Sequence, residues 1–257
     1  MFYGFFMVQT HVLVDYCESL LALDCADGCP NGLQVQGAGS IKHLVTGVSA
    51  SLEFLEKAVD VGADALLVHH GYFWSKQPRV ITGWMYERLS LIIKHDLSLL
   101  AYHLPLDYHR ELGNNVQLAK QMGWHIERTM PSLSGVDIGM IGELEAPLSQ
   151  EDFAISLENK LDHKPLVIAG HGRAIKRIAW VTGAAGCDMV YADEANVDAF
   201  ITGEISENMV HEAKERGLVL VAAGHHATER YGVQAVGAVL AKKFGIMHTY
   251  VDIACPI

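Results

Sequence analysis

Basic residues are scarce. Nineteen Lys and Arg stand against 30 Asp and Glu in a chain of 257 residues, for a formal net charge of -11. Binding to a phosphate backbone draws on Lys and Arg that displace counterions, so this balance argues against nucleic acid as a partner. Cysteine is sparse as well. The five present (Cys17, Cys25, Cys29, Cys187 and Cys255) are odd in number and show no CxxC spacing. That excludes a disulfide framework and a zinc ribbon, and it fits a reducing cytoplasm. No hydrophobic run reaches membrane-spanning length. The apolar opening "MFYGFFMV" has no basic flank and is broken by polar residues from Gln9 to Asp15, so it reads as a leader to the first helix. A GxxxxGK[ST] loop to cradle a triphosphate is also missing.

What is present is a globular pattern: half the residues are hydrophobic and only 19% are charged, enough to bury a substantial core as one large domain or two small ones. Hydrophobic runs alternate with helical ones, which predicts an α/β architecture. Strands are expected at "HLVTGV" from His43, "DALLV" from Asp64, "LSLLAY" from Leu97, "IAWVTG" from Ile178, "VDAFIT" from Val197 and "LVLVAA" from Leu218. In "LEFLEKAVDVG", Leu52, Leu55 and Val59 share one helical face and Gly62 ends the turn. Residues 149–162 predict a second helix, with Ser149 as N-cap, Asp152 three residues on, and Pro165 as its stop.

The chain also echoes itself. "IKHLVTGVSA" at Ile41 is matched by "IKRIAWVTGAA" at Ile175, and "GADALLVHH" at Gly62 by "NVDAFITGE" at Asn196. "HLPLD" from His103 matches "HHATE" from His225, and "LAKQMG" from Leu118 matches "LAKKFG" from Leu240, both at an offset of about 122 residues. We therefore expect two related α/β halves from an internal duplication, residues 1–130 and 131–257, packed face to face. Each would have mixed sheets flanked by helices, with a junction around Met130 to Pro147 and room for the C-terminal segment to pack on the first half. Such units hold ligands beyond the carboxyl ends of their strands.

Three of the expected strands end in residues suited to metal. The second ends at His69 and His70. The third runs into His103, Asp107 and His109, and the sixth into His225, His226 and Glu229. Imidazole with carboxylate suits zinc, manganese, iron or nickel rather than an all-oxygen calcium cage. Adjacent strand residues face apart, so His69 and His70 serve one ion poorly but can each reach a different ion where the strand opens into its loop. Two neighbouring metals bridged by a carboxylate follow, able to polarise a substrate oxygen and hold a hydroxide nucleophile. Gly71 would let the backbone turn after the pair. The competing reading of any single histidine is a hydrogen-bonded structural residue.

Taken together, "CPNGLQV" from Cys29, "VTGVSAS", "GADALLVHHGYFW", "HLPLDYHRELGNN", "FITGEISE" and "AAGHHATER" resemble the YbgI-type family, the GTP cyclohydrolase 1 type 2 homologues. The resemblance covers nearly the whole chain. It implies a two-domain α/β subunit in a homohexameric toroid, with a dinuclear metal site in each subunit. By motif, His69 and His70 would bind different ions, Asp107 one ion and His225 the other, with Glu229 bridging both. His103 and His226 are open to two roles, orienting ligands or substrate, or structural hydrogen bonding. Glu204, at the repeat position of His70, is a candidate to hold a water or act as general base. Tyr72, Phe73 and Trp74 form either an aromatic wall for a flat substrate or packing at a subunit interface. Asn31 and Gly32 look like a turn, placed near the metals by the family likeness alone.

The expected activity is that of a dinuclear metal-dependent hydrolase. It would use a metal-bound hydroxide on a small-molecule nucleotide or cyclic amide, with GTP cyclohydrolase-like chemistry as one candidate. A metal-handling protein that stores or delivers divalent ions is the alternative, and neither reading calls for a membrane.

Overall fold

The computed structural model describes residues 6–22, 26–170 and 172–257. Cys25 and most of the opening apolar stretch lie outside the described residues. The chain divides into two compact units, Met1–Leu106 with Gly232–Ile253, and Asp107–Tyr231 with Ala254–Ile257. The elements run, in order, β1 (Val8–Gln9), α1 (Thr10–Leu20), β2 (Gly32–Val35), β3 (Ser40–Ile41), β4 (His43–Ser49), α2 (Leu52–Asp60), β5 (Ala65–His70), α3 (Trp84–Lys94), β6 (Ser98–Ala101) and α4 (Leu104–Tyr108). They continue with α5 (Asn114–Met122), β7 (His125–Met130), β8 (Gly139–Leu148), α6 (Gln150–Leu161), β9 (Leu166–Ile168), β10 (Ile175–Val181), α7 (Met189–Glu194), β11 (Ala199–Thr202), α8 (Glu207–Arg216), β12 (Val219–Ala222), α9 (His225–Thr228), α10 (Arg230–Phe244) and β13 (Met247–Tyr250). No described helix is long and apolar enough to cross a membrane.

In the first unit the sheet order is β13-β4-β5-β6-β2. β13, β4, β5 and β6 are parallel, and β2 closes the edge antiparallel to β6. Residues 65–69 of the central β5 are all buried, which explains why its sequence runs apolar without alternation: a parallel strand covered on both faces has no solvent side. Ser51 caps α2, its hydroxyl accepting from the Phe54 amide at 3.2 Å. The buried face of α2 is Phe54, Leu55 and Ala58, rotated from the expected Leu52–Leu55–Val59 stripe because the Phe54 ring packs against Gly47 of β4, where a Cβ would lie 2.4 Å from it.

In the second unit the order is β7-β8-β10-β11-β12-β9. β10, β11 and β12 are parallel, β8 pairs antiparallel with both β7 and β10, and β9 closes the other edge antiparallel to β12. The core gathers Phe153, Leu157, Trp180, Ile201 and Val221, with Trp124 and Trp180 ring centroids 5.0 Å apart. Ser149 caps α6 as its spacing predicts, accepting from the Asp152 amide at 3.0 Å.

The stretch expected to be a junction is instead largely strand. Gly139–Leu148 forms the ten-residue β8. Its glycines, which read as linker, allow close strand approach: a Cβ on Gly142 would lie 1.9 Å from the His125 carbonyl oxygen. The units also divide elsewhere than at residue 130, since α5 and β7 belong with the second sheet and β13 with the first.

The two units share a local device. The Asp64 carboxylate accepts from the amides of Lys42 and His43 at 2.7 and 2.9 Å, and Asp198 accepts from those of Lys176 and Arg177 at 3.0 and 2.9 Å. Each Asp precedes the middle parallel strand and ties down the start of the strand before it. Each antiparallel edge, β2 or β9, also precedes its parallel trio in the chain and pairs with the last strand of that trio.

Candidate metal-binding residues

In the first unit, the ladder between β5 and β6 ends at Val68–Ala101, while pairing to β4 runs on to Ser49–His70. Released on one side, the strand end departs from strict pleat, and the rings of His69 and His70 sit with centroids 4.5 Å apart. His103, just before α4, brings a third ring 5.1 Å from His69 and 5.9 Å from His70. The three residues can each offer a ligand atom within 4.8 Å of the others. Gly71 is not in the positive-φ region. It serves close approach instead, since a Cβ there would lie 2.3 Å from Gln34 Oε1 and 2.5 Å from Ala101 Cβ.

Each of these rings has an oxygen at Nδ1. The buried His69 donates to the Tyr102 carbonyl at 2.9 Å. A carbonyl only accepts, so Nδ1 carries the proton and Nε2 is the ring nitrogen with a lone pair suited to a cation. His70 Nδ1 lies 3.0 Å from Ser49 Oγ. His103 Nδ1 lies 2.7 Å from Asp27 Oδ1. Burial pushes the Asp27 carboxyl up, but hydrogen bonds from His103, Asn31 and the Leu104 amide outweigh it and bring the pKa down to about 2. An ionised Asp27 fixes His103 as donor at Nδ1. Asn31 completes the clamp, its Oδ1 accepting from the His103 amide at 2.7 Å. Asn31 thus does lie against His103, but not in the expected turn: Gly32 opens β2 and Asn31 leads into it.

Asp27 went unread in the sequence because "ADGCPNG" signals a turn and nothing more. Of the aromatic run, Tyr72 is core, its hydroxyl donating to the Ala50 carbonyl at 2.7 Å. Trp74 stands edge-on to His103 with ring centroids 4.9 Å apart. Phe73 is exposed at φ 65°, a strained conformation for a bulky residue.

The second unit holds Asp107, Glu204, His225, His226 and Glu229. Asp107 on α4 is buried and accepts from Asn114 Nδ2 at 2.8 Å. His225 lies between two acids: Glu204 Oε1 at Nδ1, and Glu229 Oε2 3.1 Å from Nε2. Burial alone would lower the pKa of His225, but hydrogen bonding and charge from Glu229 and Glu204 win and push it up to about 9. A positive charge is therefore favoured between His225 and the buried Glu229, and a divalent cation answers the same need. The donor set fits metal on that ground. Gly183 makes room at this place: its φ is 72°, and a Cβ would sit 2.1 Å from Glu229 Oε1.

Glu204, expected to hold a water or act as base, takes the orienting place at His225 Nδ1 that carbonyl, hydroxyl and carboxylate oxygens take in the other unit. His226 is half-buried on α9, its amide donating to the Ile257 carbonyl at 3.1 Å. His109 serves its own turn, with Nδ1 accepting from the amides of Glu111 and Leu112.

The chain is 48% identical over 250 residues to a Pseudomonas aeruginosa protein called GTP cyclohydrolase 1 type 2 homolog, covering 97% of this chain and 98% of that one. An Escherichia coli K12 protein of the same name is 42% identical over 244 residues, covering 93% and 95%. Among solved structures, the protein ybgI, described as of unknown function, superposes with a TM-score of 0.93 at 40% identity, covering 97% of this chain and all of that one. A Thermus thermophilus protein follows at 0.85 and 32%, with the same coverage. The model of the Duf34/NIF3 (NGG1p interacting factor 3) family matches residues 8–255. With its paired histidines, its HLPLD and GHHATER segments and its mixed-sheet units all accounted for, the chain belongs to the Duf34/NIF3 family.

Proposed function

We propose that the chain is a dinuclear metal-dependent hydrolase acting on a small nucleotide or cyclic amide. His69, His70, Asp107, His225 and Glu229 are its metal ligands and Glu229 bridges the two ions. The observation that supports this most is that the rings of His69, His70 and His225 each have Nδ1 held by an oxygen, an arrangement that fixes ring orientation and directs Nε2 toward a cation. Zinc, iron, manganese and nickel all suit the ligands. Two such ions supply Lewis acidity and a water of lowered pKa.

The chain's own groups do the rest. Glu204 and Asp27 keep the rings of His225 and His103 in register. His103, with Nδ1 tied to Asp27, can hold a proton at Nε2 for a leaving group, and His226 is the second candidate for proton transfer. The likeness to proteins named GTP cyclohydrolase 1 type 2 homolog makes purine-ring opening the first reaction to try. We further propose that the protein works as a homohexamer in the cytoplasm, where thiols such as the described Cys17, Cys29, Cys187 and Cys255 stay free.

Element analysis of protein purified without chelator tests the ligand set. Two ions per protomer are expected. Glu229→Ala should lose both and His69→Ala about one, whereas a Glu229→Ala protein that retains two ions would overturn the bridge. Incubating the metal-loaded protein with nucleotides, cyclic amides and phosphoesters tests turnover. No turnover, with ions passing readily to an apo acceptor, would replace the hydrolase by a metal-handling protein.

A further inference from the structure

Beside His70, within the first unit, lies a cavity of about 180 Å³ lined by residues including Ser51, Trp74, Gln77, Trp84 and Arg88. Two of its features call for a ligand. Arg88 lies with its guanidinium carbon 4.8 Å from the centroid of the Trp84 ring and 5.9 Å from that of Tyr72. Among the described residues no carboxylate pairs with it and no hydrogen bond engages it. Trp84 is half exposed, at 50%, a large flat surface turned outward for no packing reason within its own unit.

Size narrows the occupant. An apolar cavity of about 150 Å³ accepts a single benzene ring, so this one takes one ring with one substituent, and a whole nucleoside triphosphate exceeds it. The Trp rings favour a flat ring. Arg88 favours a carboxylate or phosphate, which its planar fork can grip with two hydrogen bonds. Ser51 Oγ, which accepts from the Phe54 amide, has its own O–H to donate to the same anion.

We infer that this cavity binds a planar ring bearing one anionic group, and so selects the substrate or product whose reacting end faces His70. The role as a substrate subsite rests on the hydrolase reading. The binding itself does not, and it can be measured on protein stripped of metal.

Titration calorimetry with orotate, uracil and benzoate makes the test. Orotate and benzoate each carry a planar ring with an anion, uracil a planar ring without one. Orotate and benzoate should each bind at least about tenfold tighter than uracil, the scale of one charge-assisted hydrogen bond. Arg88→Ala should reduce orotate to the affinity of uracil, and Arg88→Lys should restore part of the loss. Both variants should keep the metal content of the parent. Equal binding of orotate and uracil, an Arg88→Ala variant that binds orotate normally, or no orotate binding up to about 10 mM would overturn the inference. Failure of the metal stoichiometry experiment would leave these results standing, so the two readings fall separately.

Discussion

An imidazole keeps one orientation when something holds one of its nitrogens, and here the partner varies while the atom held, Nδ1, stays constant: a carbonyl for His69, a hydroxyl for His70, and acids for His103 and His225. The histidines and acids were legible in the sequence because they cluster at strand ends. Their partners were not, since Tyr102 contributes only its backbone and Asp27 lies 76 residues from His103 in a stretch that reads as a turn. Asp27 offers a test at this scale. Its carboxyl titrates at about 2 in the folded chain against 3.8 when unperturbed. A folded pKa below the unfolded one adds stability that is nearly complete above the unfolded value and is lost as pH falls through the folded value. The difference corresponds to about 2 kcal/mol at neutral pH. Urea unfolding should therefore show Asp27→Asn less stable by about that amount at pH 7, with the gap shrinking to about half at pH 3. A gap of the same size at both pH values would mean that the ionised form is not what Asp27 contributes.

At the level of elements, the six strands expected from apolar runs are present as β4, β5, β6, β10, β11 and β12. These are the parallel members buried enough to leave a continuous signal. What escaped was the parallel edge strand β13, whose residues are all half-buried, and the antiparallel remainder. β7 has mostly exposed or half-exposed residues, and β8 is written with three of its ten positions as Gly or Pro, so neither gives a clean run or a clean alternation. The repeat in the sequence, by contrast, corresponds to something physical: Asp64 and Asp198 occupy matching positions and each receives two backbone amides. Each substitution, Asp64→Ala or Asp198→Ala, should cost about 1–2 kcal/mol by loss of those bonds. Because they act in separate sheets, the double variant should lose close to the sum. Denaturant titration of the four proteins reads this directly. A negligible cost at either position would show that the shared motif is inherited wording without a shared structural role.

At the level of the whole molecule, the first unit displays more apolar surface than its own packing explains. Val80 and Ile81 in the loop before α3 are 60% and 59% exposed, and Tyr86 and Ile93, seven residues apart on α3, are 61% and 68% exposed. A spacing of seven puts the last two on one stripe of the helix. It is a different stripe from that of Trp84 and Arg88, so the face that would meet another protomer and the cavity proposed for a ligand use different side chains. Large apolar side chains left exposed on one stripe of a helix suit an interface, and the proposed hexamer supplies a partner for them in further copies of the chain. Sedimentation velocity of the parent should report six protomers. Tyr86→Glu combined with Ile93→Glu should yield smaller species, because two unpaired carboxylates buried at an apolar contact are strongly disfavoured. The variant should still bind orotate as the parent does, since neither substituted residue lines the cavity. A parent that sediments as a monomer would remove the hexamer, and a double variant that stays hexameric would move the interface to another face of the protomer.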